Sequence, residues 1–255
     1  MSKRAECLRN IKLIAAYDGT HYLGWQKTKM GPSIEEVLEN TLSRILQHPV
    51  ILQAASRTDA GVSADGQVVN FFTDSCVSPE KLKASLNRLL PKDIVILSTE
   101  EAETGFHPTL DCKGKEYRYH LCYGRIRLPH QRHYSWHYPY PNLDIEAMRK
   151  AVPFLLGNRD FSAFCNLMKS RGYRDLVRQL ESIEIQVLPE ECLRFDVRGN
   201  HFLYKMVRNL VGTLVHVGCG KIKYEKLAKI LDSGDRNQAG MTAPSCGLFL
   251  HRVFY

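Results

Sequence analysis

The chain has 255 residues, of which 44% are hydrophobic, 24% charged and 9% aromatic. At about 150 residues per domain this is material for one to two cores, and it excludes a disordered tail or a short peptide. Thirty-five Lys and Arg against 27 Asp and Glu give a formal charge of +8, which favours a polyanionic partner without naming one.

Near the start, the only apolar run is Ile11 to Tyr17, interrupted by Lys12 and too short for a signal-peptide core. No stretch reaches the roughly 18 uninterrupted apolar residues of a membrane span. A cytoplasmic protein without a membrane partner is expected. Ile11 to Tyr17 reads as a strand. Ser33 to Gln47 reads as a helix, with Ile34, Val37, Leu38, Thr41, Leu42, Ile45 and Leu46 on one stripe and Ser33 and Glu36 as a capping box. Strands are expected at Val50 to Ala55 and Gln67 to Phe72. A helix from Pro79 to Leu90 capped by Ser78 and a strand from Ile94 to Thr99 follow. The order is βαββαβ.

After a polar connection around Glu100 to Cys112 the order recurs. A strand over Lys115 to Tyr123, a helix over Asp144 to Leu156, strands at Val177 to Leu188 and Leu193 to Arg198, a helix at His201 to Val217 and a strand at Leu248 to Phe254 are expected, with an extra helix at Tyr224 to Leu231. The pattern predicts an α+β protein of two split-βαβ units with antiparallel sheets, divided into residues 1–105 and 106–255. Two such units can bring bare sheet faces together around a basic cleft suited to RNA; two unrelated domains on a linker fit the same pattern. Eight cysteines, at 7, 76, 112, 122, 165, 192, 219 and 246, form no C-x-x-C pair and read as reduced thiols that pack the core. The last four are evenly spaced, but their flanks share nothing, so no repeat is inferred.

Chemistry is suggested first by S-R-T-D-A-G-V, Ser56 to Val62, where Arg57, Asp59 and Gly61 share a loop between strands. An Asp and a Gly here serve turn geometry equally well. A carboxylate two residues from a cation is also a nucleophile or base that a positive neighbour keeps ionised. In H-F-L-Y-K-M-V-R-N-L-V-G, Lys205 and Arg208 fall off the apolar stripe, either as a solvated face or, for Arg208, as a partner for a carboxylate. Alternation from Lys115 to Tyr123 puts Tyr117, Tyr119, Leu121 and Tyr123 on one face, as core or as a platform for bases. His130, His133 and His137 have a spacing that could clasp zinc, but no helical stripe or carboxylate accompanies them, and contact with RNA phosphates is an equal use. P-loop, Rossmann and G-x-S-x-G patterns are absent, which disfavours nucleotide-driven and serine-hydrolase chemistry.

The run S-R-T-D-A-G-V-S-A-D-G-Q-V-V-N-F resembles the signature G-R-T-D-A-G-V-H-x-x-G-Q-V-x-x-F of the tRNA pseudouridine synthase A (TruA) family. The resemblance spans nearly the whole chain, through Y-D-G-T-H-Y-L-G-W-Q (Tyr17 to Gln26), K-E-Y-R-Y (Lys115 to Tyr119), G-N-R-D-F-S-A-F (Gly157 to Phe164), F-L-Y-K-M-V-R-N-L-V-G (Phe202 to Gly212) and A-G-M-T-A-P-S-C-G-L (Ala239 to Leu248). It implies two ferredoxin-like halves flanking a central basic cleft. It implies a homodimer that isomerises uridine to pseudouridine in the anticodon stem-loop of tRNA, at uridines 38, 39 and 40, without a metal or organic cofactor. By motif match Asp59 is then the catalytic aspartate, Arg57 assists base extrusion, Tyr117 lies against the flipped uracil and Arg208 pairs with Asp59. Ser56, Ser63 and Asn70 depart from the family's usual Gly, His and His; none is the aspartate, so activity is expected to persist, with Ser63 weakening or retuning an RNA contact. Residues Asn166 to Leu176 match poorly and read as a basic connection that touches the tRNA body or is merely solvated. The alternatives are the same chemistry on other uridines, and a noncatalytic RNA-binding protein.

Overall fold

The computed structural model describes residues 8–140, 142–167 and 175–255. In chain order the elements are β1 (Arg9–Tyr17), α1 (Ile34–Leu46), β2 (Gln53–Ala54), β3 (Ser63–Thr73), α2 (Pro79–Leu89), β4 (Ile94–Ala102), β5 (Gly114–Tyr123), β6 (Trp136–Tyr138), α3 (Ile145–Ala151), β7 (Gly157–Asp160), β8 (Val177–Leu188), β9 (Cys192–Gly199), α4 (Met206–Gly218), α5 (Leu227–Ser233) and β10 (Leu248–Phe254), with short 3-10 turns between some of them. The class is α+β. Two compact units divide the chain: the first extends to Lys113 and includes Leu250–Tyr255, and the second is Gly114–Phe249.

In the first unit the strand order is β4-β1-β3-β10, with β2 also on β3. Strand β1 is antiparallel to both β3 and β4. Its alternation buries Ile11, Leu13, Ala15 and Tyr17, as a period of two requires of a strand with one face in the core. Ser33 caps α1 by accepting from the Glu36 N–H, and Ser78 caps α2 by accepting from Lys81. Ile34, Leu38 and Leu42 of α1 are fully buried, and such side chains contribute about 1.5–3 kcal/mol each. Helix α2 ends where Pro91 forces Leu90 into extended backbone.

In the second unit the order is β5-β9-β8-β7, with β6 parallel beside β5. Strand β9 is antiparallel to both β5 and β8. Helix α3 packs on α4, where Met148 is fully buried over Gly218 and the Asp144 N–H donates to the Gly218 carbonyl. Along the chain the βαββαβ succession occurs twice, the second time with β6, β7 and α5 added, but the last strand of the second, β10, is taken into the sheet of the first unit beside β3.

Three expected elements differ, and two further strands appear. The strand at Val50 to Ala55 contracts to Gln53–Ala54, because the Leu52 N–H turns to the Glu39 carboxylate instead of a neighbouring strand and Ile51 faces solvent. The helix at Asp144 to Leu156 ends at Ala151 and continues as a 3-10 turn, since Pro153 has no N–H to give the Arg149 carbonyl. The helix at His201 to Val217 begins only at Met206, after Lys205 takes a left-handed conformation with φ 60°. Strands β6 and β7, three and four residues long, are too short for alternation to reveal.

The cysteine expectation also needs correction: Cys122 and Cys192 are joined in a disulfide. They face each other across β5 and β9, and the Tyr123 N–H bonded to the Glu191 carbonyl marks them as a non-hydrogen-bonded antiparallel pair, with Cα atoms 4.1 Å apart. Spacing along the chain carries no information about a register between strands 70 residues apart. Among the described residues Cys76, Cys112, Cys165, Cys219 and Cys246 are free thiols.

Candidate active site

The loop between β2 and β3 holds Asp59 half-exposed and Arg57 exposed, while Thr58 and Val62 are buried. What fixes it is the segment from Tyr17 to Trp25. The Tyr17 hydroxyl is 2.8 Å from the Thr58 hydroxyl, the Trp25 N–H donates to the Thr58 carbonyl at 3.0 Å, and the Gly61 N–H donates to the Tyr22 carbonyl at 3.2 Å. Tyr22 is itself anchored, its hydroxyl donating to the Asp93 carboxylate. Within the loop the Val62 N–H closes a turn on the Asp59 carbonyl. Gly24 has φ +95°, and a Cβ there would lie 2.7 Å from the Thr58 carbonyl oxygen, so this approach and this conformation both require glycine.

The three departures from the family signature are structural. The Ser56 backbone is held at both ends by the fully buried amide of Gln67, whose Nε2 donates to the Ser56 carbonyl at 2.6 Å and whose Oε1 accepts from its N–H at 3.3 Å. Ser63 is 2% exposed and its hydroxyl accepts from the Gly19 N–H. The expectation that Ser63 tunes an RNA contact is corrected: burial removes the hydroxyl from solvent, and it ties the two segments of the site together. Asn70 is also buried, donating to the Asn10 side chain and the Phe106 carbonyl. These supporting roles were not assigned from sequence, although the block Tyr17 to Gln26 was the signal that pointed to them.

Tyr117 and Arg208 belong to the second unit, on β5 and α4. Tyr117 is 7% exposed and its ring meets Phe202 edge-on at 5.0 Å. Its neighbours on that face, Tyr119 and Leu121, are fully buried, so the face is chiefly core. Burial holds the Tyr119 phenol well above its ordinary pKa, and the neutral hydroxyl donates to the Pro244 carbonyl at 2.8 Å. Arg208 is half-buried and no solvated face: its Nε donates to the Ala243 carbonyl at 2.7 Å, and the Ala243 N–H donates back to the Arg208 carbonyl. Tyr119 and Arg208 thus converge on Ala243–Pro244. Arg57 and Asp59 share one loop of the first unit.

A buried polar hub backs α4. Asn209, fully buried, donates to the Phe164 carbonyl and the Asn166 side chain, and its Oδ1 accepts from Arg236 and from the Thr242 hydroxyl. Burial lowers the Arg236 pKa, and its other guanidinium nitrogen donates to the Gly240 carbonyl. The block Ala239 to Leu248 is therefore strapped to α4, and at Gly212 the Met241 carbonyl leaves no room for a side chain.

The histidines at 130, 133 and 137 lie in a 3-10 turn, the loop after it and β6; the His137 ring bonds the Gly124 carbonyl and the His133 ring accepts from Arg132. Among the described residues no three His, Cys, Asp or Glu side chains are grouped to hold a metal ion. No helix among them is long and apolar enough to cross a membrane. Most of the basic connection within Asn166 to Leu176, residues 168–174, lies outside the described residues.

The family described as tRNA pseudouridine synthase matches this chain over residues 13–109 and 151–255. A Protochlamydia amoebophila protein named tRNA pseudouridine synthase A 2 is 52% identical over 252 residues, covering 98% of this chain and 96% of that protein. Proteins named tRNA pseudouridine synthase A from Geobacter sulfurreducens and Thermoanaerobacter sp. are 44% and 41% identical over 248 residues each, covering 96% and 97% of this chain and 99% and 100% of theirs. With the signature loop built into the first unit and the match running through both units, the chain belongs to the tRNA pseudouridine synthase family.

Proposed function

We propose that the chain isomerises uridine to pseudouridine in the anticodon stem-loop of tRNA, at uridines 38, 39 and 40, with Asp59 as the catalytic carboxylate. The observation that carries this reading is the placement of Asp59: a half-exposed carboxylate between the buried residues Thr58 and Val62, on a loop fastened by backbone bonds to Tyr22 and Trp25. A turn built only for its shape needs no such fastening, whereas a reacting carboxylate gains from a fixed position.

The reaction breaks the bond from uracil N1 to ribose C1′, turns the base, joins C5 to C1′ and releases the C5 proton to solvent while N1 takes one up. Electrons balance within the nucleoside, so no oxidant, reductant or phosphoryl donor enters. Three first steps are open to Asp59: attack on C1′, addition to uracil C6, or removal of a ribose proton toward a glycal. Each requires the ionised carboxylate. Extrusion of the base costs a few kcal/mol. Arg57, exposed beside Asp59, takes part in displacing it, and the Tyr117 ring, steadied by Phe202, lies against the flipped uracil. Arg208 supplies the cation that pairs with Asp59. A basic cleft between two ferredoxin-like halves, a homodimer and a cytoplasmic location complete the proposal; its polyanionic partner suits the charge of +8.

The test is tRNA carrying tritium at uracil C5, with the release mapped by position. The wild-type chain releases label from the anticodon arm, and Asp59→Asn releases none while still binding tRNA. Release from other arms would move the targets elsewhere. Tight binding with no release by the wild type would make the chain a noncatalytic RNA-binding protein.

A further inference from the structure

The disulfide pair lies where a permanent crosslink is least expected, at the wall of an open cavity in the second unit. The cavity, about 380 Å³, is lined by Cys122 and Cys192 together with His120, Gln131, Tyr134 and Phe249. Gln131 is the polar group that meets both sulfurs: its Oε1 is 2.8 Å from Cys122 Sγ and 3.5 Å from Cys192 Sγ, while its Nε2 donates to Glu190 at 3.0 Å. An amide oxygen accepts from a thiol S–H, but a disulfide has no proton to donate. The same positions therefore suit a dithiol hydrogen-bonded to Gln131 and a disulfide that leaves the Gln131 oxygen facing sulfur lone pairs. Beside Cys192 the β8–β9 turn places Glu190 and Glu191 at φ 61° and 53°, a left-handed pair that costs free energy and is held through Glu190 by Gln131.

We propose that Cys122 and Cys192 form a reversible thiol–disulfide site, oxidised by a low-molecular-weight disulfide that enters the cavity, and that Gln131 distinguishes the two states. One cysteine thiolate attacks the small disulfide, forming a mixed disulfide and expelling one small thiolate. The second cysteine attacks the protein sulfur of that bond and expels the other. Two electrons pass to the small disulfide and the two cysteine protons end on the released thiols. Cys122 is partly exposed and Cys192 only 7% exposed, so exchange through the cavity begins at Cys122, a route closed to a disulfide sealed in a core.

Gln131 closes the 3-10 turn Pro129–Gln131, and its carbonyl accepts from the Ser135 N–H and hydroxyl. Loss of its thiol donors loosens the basic stretch around it, which carries Arg125, Arg127 and Arg132. The site is independent of the RNA reading, and its failure would leave Asp59 untouched.

The experiment equilibrates the reduced, full-length chain with mixtures of oxidised and reduced glutathione, quenches with iodoacetamide and maps alkylated cysteines by mass spectrometry. Cys122 and Cys192 lose alkylation together, without bound glutathione, and regain it on reduction, while circular dichroism stays unchanged. Trypsin then cuts at Arg125, Arg127 and Arg132 faster in the oxidised chain. In a Cys122→Ser/Cys192→Ser variant, whose hydroxyls still donate to Gln131, the cleavage rate matches that of the reduced wild type and ignores the oxidant. Cysteines that stay alkylatable at every mixture, that end as two separate mixed disulfides, or that cross-link without changing cleavage would overturn the proposal.

Discussion

Replacing Gly24 by Ala tests whether the Tyr17–Trp25 segment positions Asp59. A Cβ at 24 would sit 2.7 Å from the Thr58 carbonyl oxygen and 3.0 Å from the Ala60 nitrogen and the Asp59 carbonyl carbon, all backbone atoms that no rotamer change can move aside. Restoring an ordinary contact of about 3.4 Å asks the loop to retreat by about 0.7 Å, and the left-handed φ of +95° adds strain on the order of 1–3 kcal/mol for a residue with a side chain. Trp25 and Tyr17 grip Thr58, so the shift passes to its neighbour Asp59. A misplacement near 1 Å costs about a hundredfold in rate, and we therefore expect kcat to fall about 10- to 100-fold while tRNA affinity changes little. Single-turnover tritium release at saturating tRNA reads the first quantity and filter binding the second. Gly105→Ala, where a Cβ meets nothing within 4 Å, is the control and retains full activity. A Gly24→Ala enzyme that turns over at the wild-type rate would refute the claim that this segment sets the position of the carboxylate.

Two further tests follow from buried groups. Ser63→Ala leaves the Gly19 N–H without its acceptor, at a cost of about 1–3 kcal/mol in urea denaturation, and leaves the salt dependence of tRNA binding as it was; a changed salt slope would return Ser63 to the RNA surface. His201 and His216 both have lowered pKa values, mainly through burial, with Lys115 and Arg178 adding for His201 and Lys221 for His216. Their unfolded forms take up protons near pH 6.5 and the folded forms only at lower pH. Stability is therefore full above that value, declines as pH falls from it to the folded pKa values, and declines no further from these groups below them. Thermal unfolding between about pH 7.5 and pH 5.5 should show a smaller decline for His216→Asn than for the wild type; an equal decline would mean that His216 is not part of the response.

Much of the architecture was legible because its signals are local. Ser33 and Ser78 cap the helices that their spacing predicts, and the alternation of Tyr117, Tyr119 and Leu121 matches their burial along β5. Where an expected element failed, a nonlocal or single-residue effect had intervened: the Glu39 carboxylate drew Leu52 out of its strand, and Lys205 delayed α4. The R-T-D-A-G loop was visible as a motif, but its grip by Tyr17, Tyr22 and Trp25 was not, because those bonds join residues far apart in the chain.

The sequence by itself determined the family, the α+β class and the βαββαβ order that recurs along the chain, and it singled out Asp59 as the candidate carboxylate, since motif, alternation and capping all act within a few residues. Tertiary structure alone decided that Ser63 and Asn70 are buried supports, that Arg208 clasps Ala243, and that Cys122 meets Cys192. The physical reason is distance along the chain: Tyr17 and Thr58 are 41 residues apart, Gly19 and Ser63 are 44 apart, and the cysteines 70. Contacts at such separations are chosen by strand register and close packing, which no local pattern of residues encodes.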